Sequence, residues 1–386
     1  MRALQQTLVL TRLGFLGIAR RKWSALVLIV SMACVIGVLL SMLSVTSGML
    51  RAYRSGEDPQ QAIVLASDNP SEWGQGIAAN DIGTILDAPG IAKSADGHPL
   101  GDAEALMWVP PAGPYVLGSP NLRGIGPVGF ELRPHLKIIA GRMYRSGRHE
   151  VIIGVAAARA FQLRVGDGVL LSNGTWPIVG SFADDGSIVE GEMLSDAETL
   201  KADGQIGGYG SVLVKLETPA AFDGFARWIT SNPDLKESAE RRAQYARRTV
   251  NQASAFFSAL AYLVAAMMAL GALFGTVKLM YAAVSARIRE IATLRAIGYQ
   301  PLPVALSVLF ETVVLALVGA LAGTGAAWLL FNGKHVVQAR NVFDLEVSPR
   351  LVGLGIAWAL ALALLGGLPP AIRAARRSVT EALRAV

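Results

Sequence analysis

The chain has a single cysteine, Cys34, in 386 residues, which excludes a disulfide framework and any cysteine-built zinc site. Charge is scarce as well: 17% of residues are Asp, Glu, Lys or Arg, where a soluble domain carries about 25%. With 52% apolar residues, that shortage excludes a disordered chain and argues against a cytosolic enzyme. The histidines His98, His135, His149 and His335 are scattered, without HExxH or paired ligand spacing. No GxSxG offers a nucleophilic serine, and no GxxxxGK[ST] offers a cradle for nucleotide phosphates. Gly124-Ile125-Gly126-Pro127-Val128-Gly129 fits GxGxxG in form only. Its proline, with no legible strand before it or helix after it, makes it read as a loop. Asp184-Asp185 sits in a glycine-flanked turn, with no second carboxylate read opposite it. No active site emerges.

Long apolar runs are what the chain has in plenty. Residues 24–50, 249–277 and 351–372 contain no charge, and 301–331 contains only Glu311. Each exceeds the roughly 20 residues a helix needs to cross a bilayer, so the pattern predicts four spanning helices. The first run continues well past Cys34, beyond the apolar core of about 7–15 residues of a signal peptide, and reads as an anchor.

The basic residues cluster beside these runs. Residues 1–23, 285–300 and 371–386 hold 12 Lys and Arg against only Glu290 and Glu381. Residues 49–250 hold 19 Lys and Arg against 24 Asp and Glu. The positive-inside rule then places both termini and the 285–300 loop in the cytoplasm. The net charge of +6 is accounted for by topology and anionic lipid, with no role for nucleic acid.

Between the first and second runs, Ala62-Ile63-Val64-Leu65-Ala66 and Ser211-Val212-Leu213-Val214-Lys215-Leu216 read as buried strands. Each precedes a helical pattern, near 80–86 and 220–229. Asn173-Gly174 between two apolar runs predicts a hairpin, while 107–130, rich in Pro and Gly, reads as connector. The fold class is an α-helical membrane protein, one helix plus three, with an inserted α+β periplasmic domain containing a β-rich subdomain. The expected boundaries are an amphipathic segment 1–23, helix one 24–50, the domain 51–248 with its β-rich insert at about 131–205, and helix two with its stalk 249–284. A connector 285–300, helix three 301–331, a periplasmic loop 332–349, helix four 350–372 and a tail 373–386 complete the chain.

Inside the spans, Gly271-xxx-Gly275 and Gly319-xxx-Gly323 allow close helix packing, although such spacing is also ordinary in apolar helices. Glu311 lies about two turns in from the cytoplasmic end, where a carboxylate is expected to face protein and find a cation such as Lys278 or Arg295. In the connector, Ile288, Ile291, Leu294 and Ile297 form one apolar stripe, and Arg287, Arg289, Glu290 and Arg295 make the remainder polar. Gly298 and Pro301 end that helix. Such a helix either lies on the headgroups as a linker or docks in a groove of a cytosolic partner, and the residues alone leave both open.

The stretch Arg289-Glu290-Ile291-Ala292-Thr293-Leu294-Arg295-Ala296-Ile297-Gly298 resembles the REI-x-[TL]-LRA-[IL]-G signature of the FtsX/MacB family of ABC transporter permeases. Pro370-Ala371-Ile372-Arg373-Ala374-Ala375-Arg376, followed by Glu381-Ala382-Leu383-Arg384, resembles the same family's C-terminal ending. The resemblance implies a permease subunit of a bacterial inner membrane, itself no enzyme and holding no cofactor, whose ATP and Mg belong to a separate ABC ATPase. It further implies a homodimer without a channel, in which ATPase closure pushes the connector helices and the stalks carry that motion outward. Ile291, Leu294 and Ile297 would be the knobs in the ATPase groove, with Glu290 and Arg295 setting register. Mechanical export or efflux of a hydrophobic, lipid or peptide-like substrate is the leading expectation, with a periplasmic adaptor and outer-membrane channel as further partners on the efflux branch. Lipoprotein release, or FtsX-like signalling to a cell-wall hydrolase, are the alternatives. An external domain of about 200 residues, large for a signalling subunit, favours export.

Overall fold

The computed structural model describes residues 22–55, 58–109, 120–171, 174–204, 206–286, 300–338 and 341–376. In chain order the first elements are α1 (Lys22–Arg54), β1 (Gln61–Ala66), α2 (Ala79–Leu86), β2 (Gly101–Trp108), β3 (Asn121–Ile125), α3 (Pro127–Glu131) and β4 (Lys137–Gly141). Next come β5 (Val151–Gly154), α4 (Val155–Phe161), β6 (Gly168–Leu171), β7 (Gly174–Ala183), β8 (Glu192–Asp196) and α5 (Ala197–Gly204). The last are β9 (Ser211–Lys215), α6 (Phe222–Ser231), β10 (Glu237–Arg241), α7 (Arg242–Ala286), α8 (Pro301–Phe331), β11 (His335–Gln338), β12 (Asn341–Asp344) and α9 (Pro349–Arg376). The chain divides into two compact units.

The helical unit contains α8, α9, most of α1 and the apolar length of α7. All four helices are long and apolar enough to cross a membrane. Its core sets large residues of α1, among them Met32, Ile36 and Leu40, among alanines Ala316 and Ala320 of α8 and Ala359 and Ala363 of α9. Small residues opposite large ones let helix backbones approach, which matters where lipid removes the hydrophobic drive between helices. Leu39 and Leu43 pack with Ala261 and Ala265 of α7 in the same way.

The second unit comprises residues 48–254 together with the hairpin segment 333–345. Its ten-stranded mixed sheet runs β10-β1-β9-β2-β3-β8-β5-β7-β4, with β6 paired to β7. β3 is parallel to β8 and β5 to β7, while the other pairs are antiparallel. Period-two alternation gives each strand two faces. Ala62 and Val64 of β1 join Val212 and Val214 of β9 in burying α2 and α6 through Ile85, Phe225 and Ile229. A second core, around Trp176, Ile153 and Leu122, packs α4 and α5 beside β3, β5 and β7.

Three expectations are corrected here. Residues 107–130 are not all connector: β2 reaches Trp108, β3 is a fully buried central strand, and α3 follows it. β3 reads Asn-Leu-Arg-Gly-Ile, so a charge and a glycine conceal its pattern. The GxGxxG segment therefore does follow a strand and open a helix. That helix has only five residues, and the Gly126 N–H already donates to both Asp102 carboxylate oxygens, at 3.1 and 3.0 Å. The expected loop 332–349 instead contains the antiparallel hairpin β11–β12. The predicted hairpin around Asn173-Gly174 is present as β6–β7, with Asn173 itself outside the described residues.

Candidate functional site

One face of the central strands carries the densest chemistry in the described residues. Register places Arg123 of β3 opposite Leu106 of β2 and Leu194 of β8, so Glu104 and Glu192, two residues along, flank it diagonally on the same face. Arg123 Nε and Nη2 grip Glu192 at 2.6 and 3.0 Å, and Nη1 reaches Glu104 at 2.6 Å and Glu72 at 3.2 Å. Arg133, two residues past α3, donates Nη2 to Glu104 at 2.5 Å and Nη1 to the Gly129 carbonyl at 3.0 Å. From the start of α7, Arg242 bonds Gln61 of β1, whose amide donates to Leu132 O at 2.6 Å. The Tyr245 hydroxyl receives the Glu72 N–H at 3.3 Å. Tyr53, Tyr245, Arg133, Arg242 and Ile63 line a cleft beside this cluster.

Arg123, Arg133, Glu104 and Glu192 are almost fully buried, while Glu72 and Arg242 are partly exposed. Burial alone would raise the Glu104 carboxyl, but Arg133 and Arg123 outweigh it and hold the pKa at about 2. Burial works against the Arg123 charge, yet Glu192, Glu72 and Glu104 drive its pKa well above the ordinary value. At Glu192 and Asp102 burial wins: it raises the Glu192 carboxyl despite the Arg123 contact, and it acts most clearly at Asp102. Burial and the neighbouring Glu104 push the Asp102 carboxyl up to about 7, only partly opposed by the Gly126 N–H. A buried ion cluster adds little net stability over an apolar core, but removing one partner costs about 3–5 kcal/mol. Such a cluster holds elements in register. Here it ties β1, β2, β3 and β8 to the first turn of α7.

Of the residues picked out in sequence, 287–299 lie outside the described residues, so Arg287, Ile288, Glu290, Ile291, Leu294, Arg295, Ile297 and Gly298 receive no structural description. Glu311 is partly buried on α8 and Lys278 is exposed on α7. A Cβ at Gly319 would lie 2.6 Å from the Ile29 carbonyl, and one at Gly323 2.3 Å from that of Ala33. Around Gly271 and Gly275 a Cβ would meet nothing within 4 Å. Three scattered histidines have acidic partners: His135 with Asp185 at 3.1 Å, His149 with Asp203 at 3.0 Å, and His335 with Asp344. Among the described residues no group of three or more His, Cys, Asp or Glu side chains is placed to hold a metal.

Sequence reading missed Arg123, Glu104, Glu192, Glu72, Asp102, Arg133 and Arg242. The available signal was Asp102 and Glu104 at alternate positions of an otherwise apolar strand, a placement that requires buried cations.

Two family models match the chain. The MacB-like periplasmic core domain covers residues 24–232, and the FtsX-like permease C-terminal domain covers residues 262–379. An uncharacterized ABC transporter permease of Bacillus subtilis (strain 168), YknZ, is 30% identical over 110 residues, which is 28% of this chain and 27% of that protein. The match to that curated relative thus spans about a quarter of its length. A crystal structure of the extracellular domain of the noncanonic ABC-type transporter YknZ covers 47% of this chain and 98% of its own, at 18% identity and a TM-score of 0.35.

Proposed function

The chain belongs to the FtsX-like family of ABC transporter permeases with a MacB-like periplasmic core domain, and from that premise we propose that it is a mechanical export subunit driven by a separate cytosolic ATPase. The observation that carries this reading is the placement of the two family matches, which lie on either side of the 232–262 stretch inside one continuous set of four apolar helices and one mixed-sheet domain. The family is one of ABC permease subunits, which are not themselves enzymes and work with a partner ATPase.

In this proposal both termini and the 285–300 loop are cytoplasmic, and the domain is periplasmic after the first span. Two copies of the chain meet two ATPases. Ile291, Leu294 and Ile297 seat in an ATPase groove, with Glu290 and Arg295 fixing register by ion pairs. ATP and Mg are held by the partner. Closure of the ATPases moves the connector, and α1 and α7 convey that motion outward. Continuous helix favours this role: α1 runs unbroken to Arg54, and α7 begins at Arg242 directly after β10. The buried Arg123 cluster, next to the Arg242–Gln61–Leu132 chain of hydrogen bonds, would then receive the movement at the sheet. The cargo is a hydrophobic, lipid or peptide-like molecule moved away from the cytoplasm.

Purification of the tagged chain in mild detergent, followed by mass spectrometry, tests the reading. We expect a Walker-motif ATPase at near 1:1, lost in a folded Leu294→Asp variant. An intact protein that brings down no such ATPase would overturn it.

A further inference from the structure

A second cleft, shallow and open to solvent, plays no part in the mechanism above. Its walls come from 48–52 at the end of α1, from α4, from the 3-10 turn Ile188–Gly191 and from the hairpin β11–β12. The anions in it are already engaged. Glu190 accepts the Asp184 N–H at 2.6 Å and the Gly186 N–H at 2.9 Å, and Asp344 is met by His335. The cations are not. The side chains of Arg51 and Arg159 are exposed and make no hydrogen bond or ion pair among the described residues. Phe343, almost fully buried, gives the cleft an apolar wall.

Two unspent guanidinium groups over an apolar wall suit a phosphate group carried on an apolar body, because the guanidinium fork matches phosphate oxygens. The chain's connectivity points to the same ligand. Arg51 directly follows the charge-free run 24–50 within one helix, and three and four residues join the hairpin to α8 and α9. In a spanning protein those helix ends are where headgroup phosphates lie, so the inference rests on the membrane reading given above. We propose that this cleft holds the phosphate of an anionic glycerophospholipid, with Arg51 and Arg159 as its two cationic contacts.

Native mass spectrometry of the full chain in detergent, titrated with dioleoylphosphatidylglycerol, tests this. A basic residue near an anionic headgroup contributes about fivefold in affinity, so Arg51→Gln with Arg159→Gln should weaken retention by about 25-fold. Lys137→Gln, an exposed cation elsewhere on the domain, should leave retention unchanged. Arg51→Lys with Arg159→Lys keeps the charges and should stay within about fivefold of the parent, which guards against a mere folding loss. Inorganic phosphate at millimolar concentration should not displace the lipid; if it does, free phosphate is the occupant and the lipid assignment falls. Equal retention of dioleoylglycerol, or an unaltered double Gln variant, would overturn the site itself. A protein that retains the lipid but captures no ATPase would sink the permease reading and leave this one standing, and the reverse outcome would separate them equally.

Discussion

Asp102 shows how far one residue can depart from its type. Its carboxyl lies two positions from Glu104 on the same strand face, and burial with that neighbour pushes its pKa to about 7 from 3.8. A folded-state value above the unfolded one means the folded domain holds the proton more tightly. The stabilising contribution is therefore complete below 3.8 and is lost as pH rises through about 7. Glu104 has the opposite sign: its folded value of about 2 gives stability that is present above 4.5 and lost only in stronger acid. The window from 4.5 to 7 thus reports Asp102 with little interference from Glu104. Thermal melting of the parent should fall across that window, and Asp102→Asn should flatten the fall. A parent equally stable at pH 5 and pH 7.5 would contradict the assignment. Little of this was legible in sequence: the alternation of Asp102 and Glu104 along an apolar strand hints at buried partners, but only the fold places Arg123 and Arg133 beside Glu104.

Elements were legible where periodicity was strong. Strands β1 and β9, the helices after them and the β6–β7 hairpin fall where apolar runs and turn residues predict them. β3 was not legible, since its central arginine is satisfied by carboxylates 19, 51 and 69 residues away. Glycine pairs make the same point among the helices. Gly271 and Gly275 have the spacing of Gly319 and Gly323, yet only the second pair meets another backbone at close range. In Gly323→Ala the new Cβ would meet the Ala33 carbonyl, and backbone cannot yield as a side chain can. We expect a loss of about 1–3 kcal/mol in detergent melts. Gly275→Ala meets open space and should be neutral or gain up to about 1 kcal/mol from helix propensity. Equal stability of the parent and Gly323→Ala would refute the close packing.

For the molecule as a whole, the distribution of Lys and Arg leads to a prediction about orientation. In a Cys34→Ala background, Asp96→Cys on the domain should react with an impermeant maleimide in intact cells. Gln300→Cys, just before α8, should react only after permeabilisation, and labelling of Gln300→Cys in intact cells would reverse the topology. The sequence by itself determined the four apolar helices, their connection to one large domain and the family signatures. Helix length, charge asymmetry and short-range motifs are local properties that survive reading along a line. Only the tertiary structure decided that Arg123 is the hub of a buried cluster and that Asp102 occupies the N-terminus of α3. It alone also made 333–345 part of the domain's unit and left the Arg51 and Arg159 side chains without partners among the described residues. Those outcomes depend on which distant residues share a face, because a buried charge takes its behaviour from the groups that surround it.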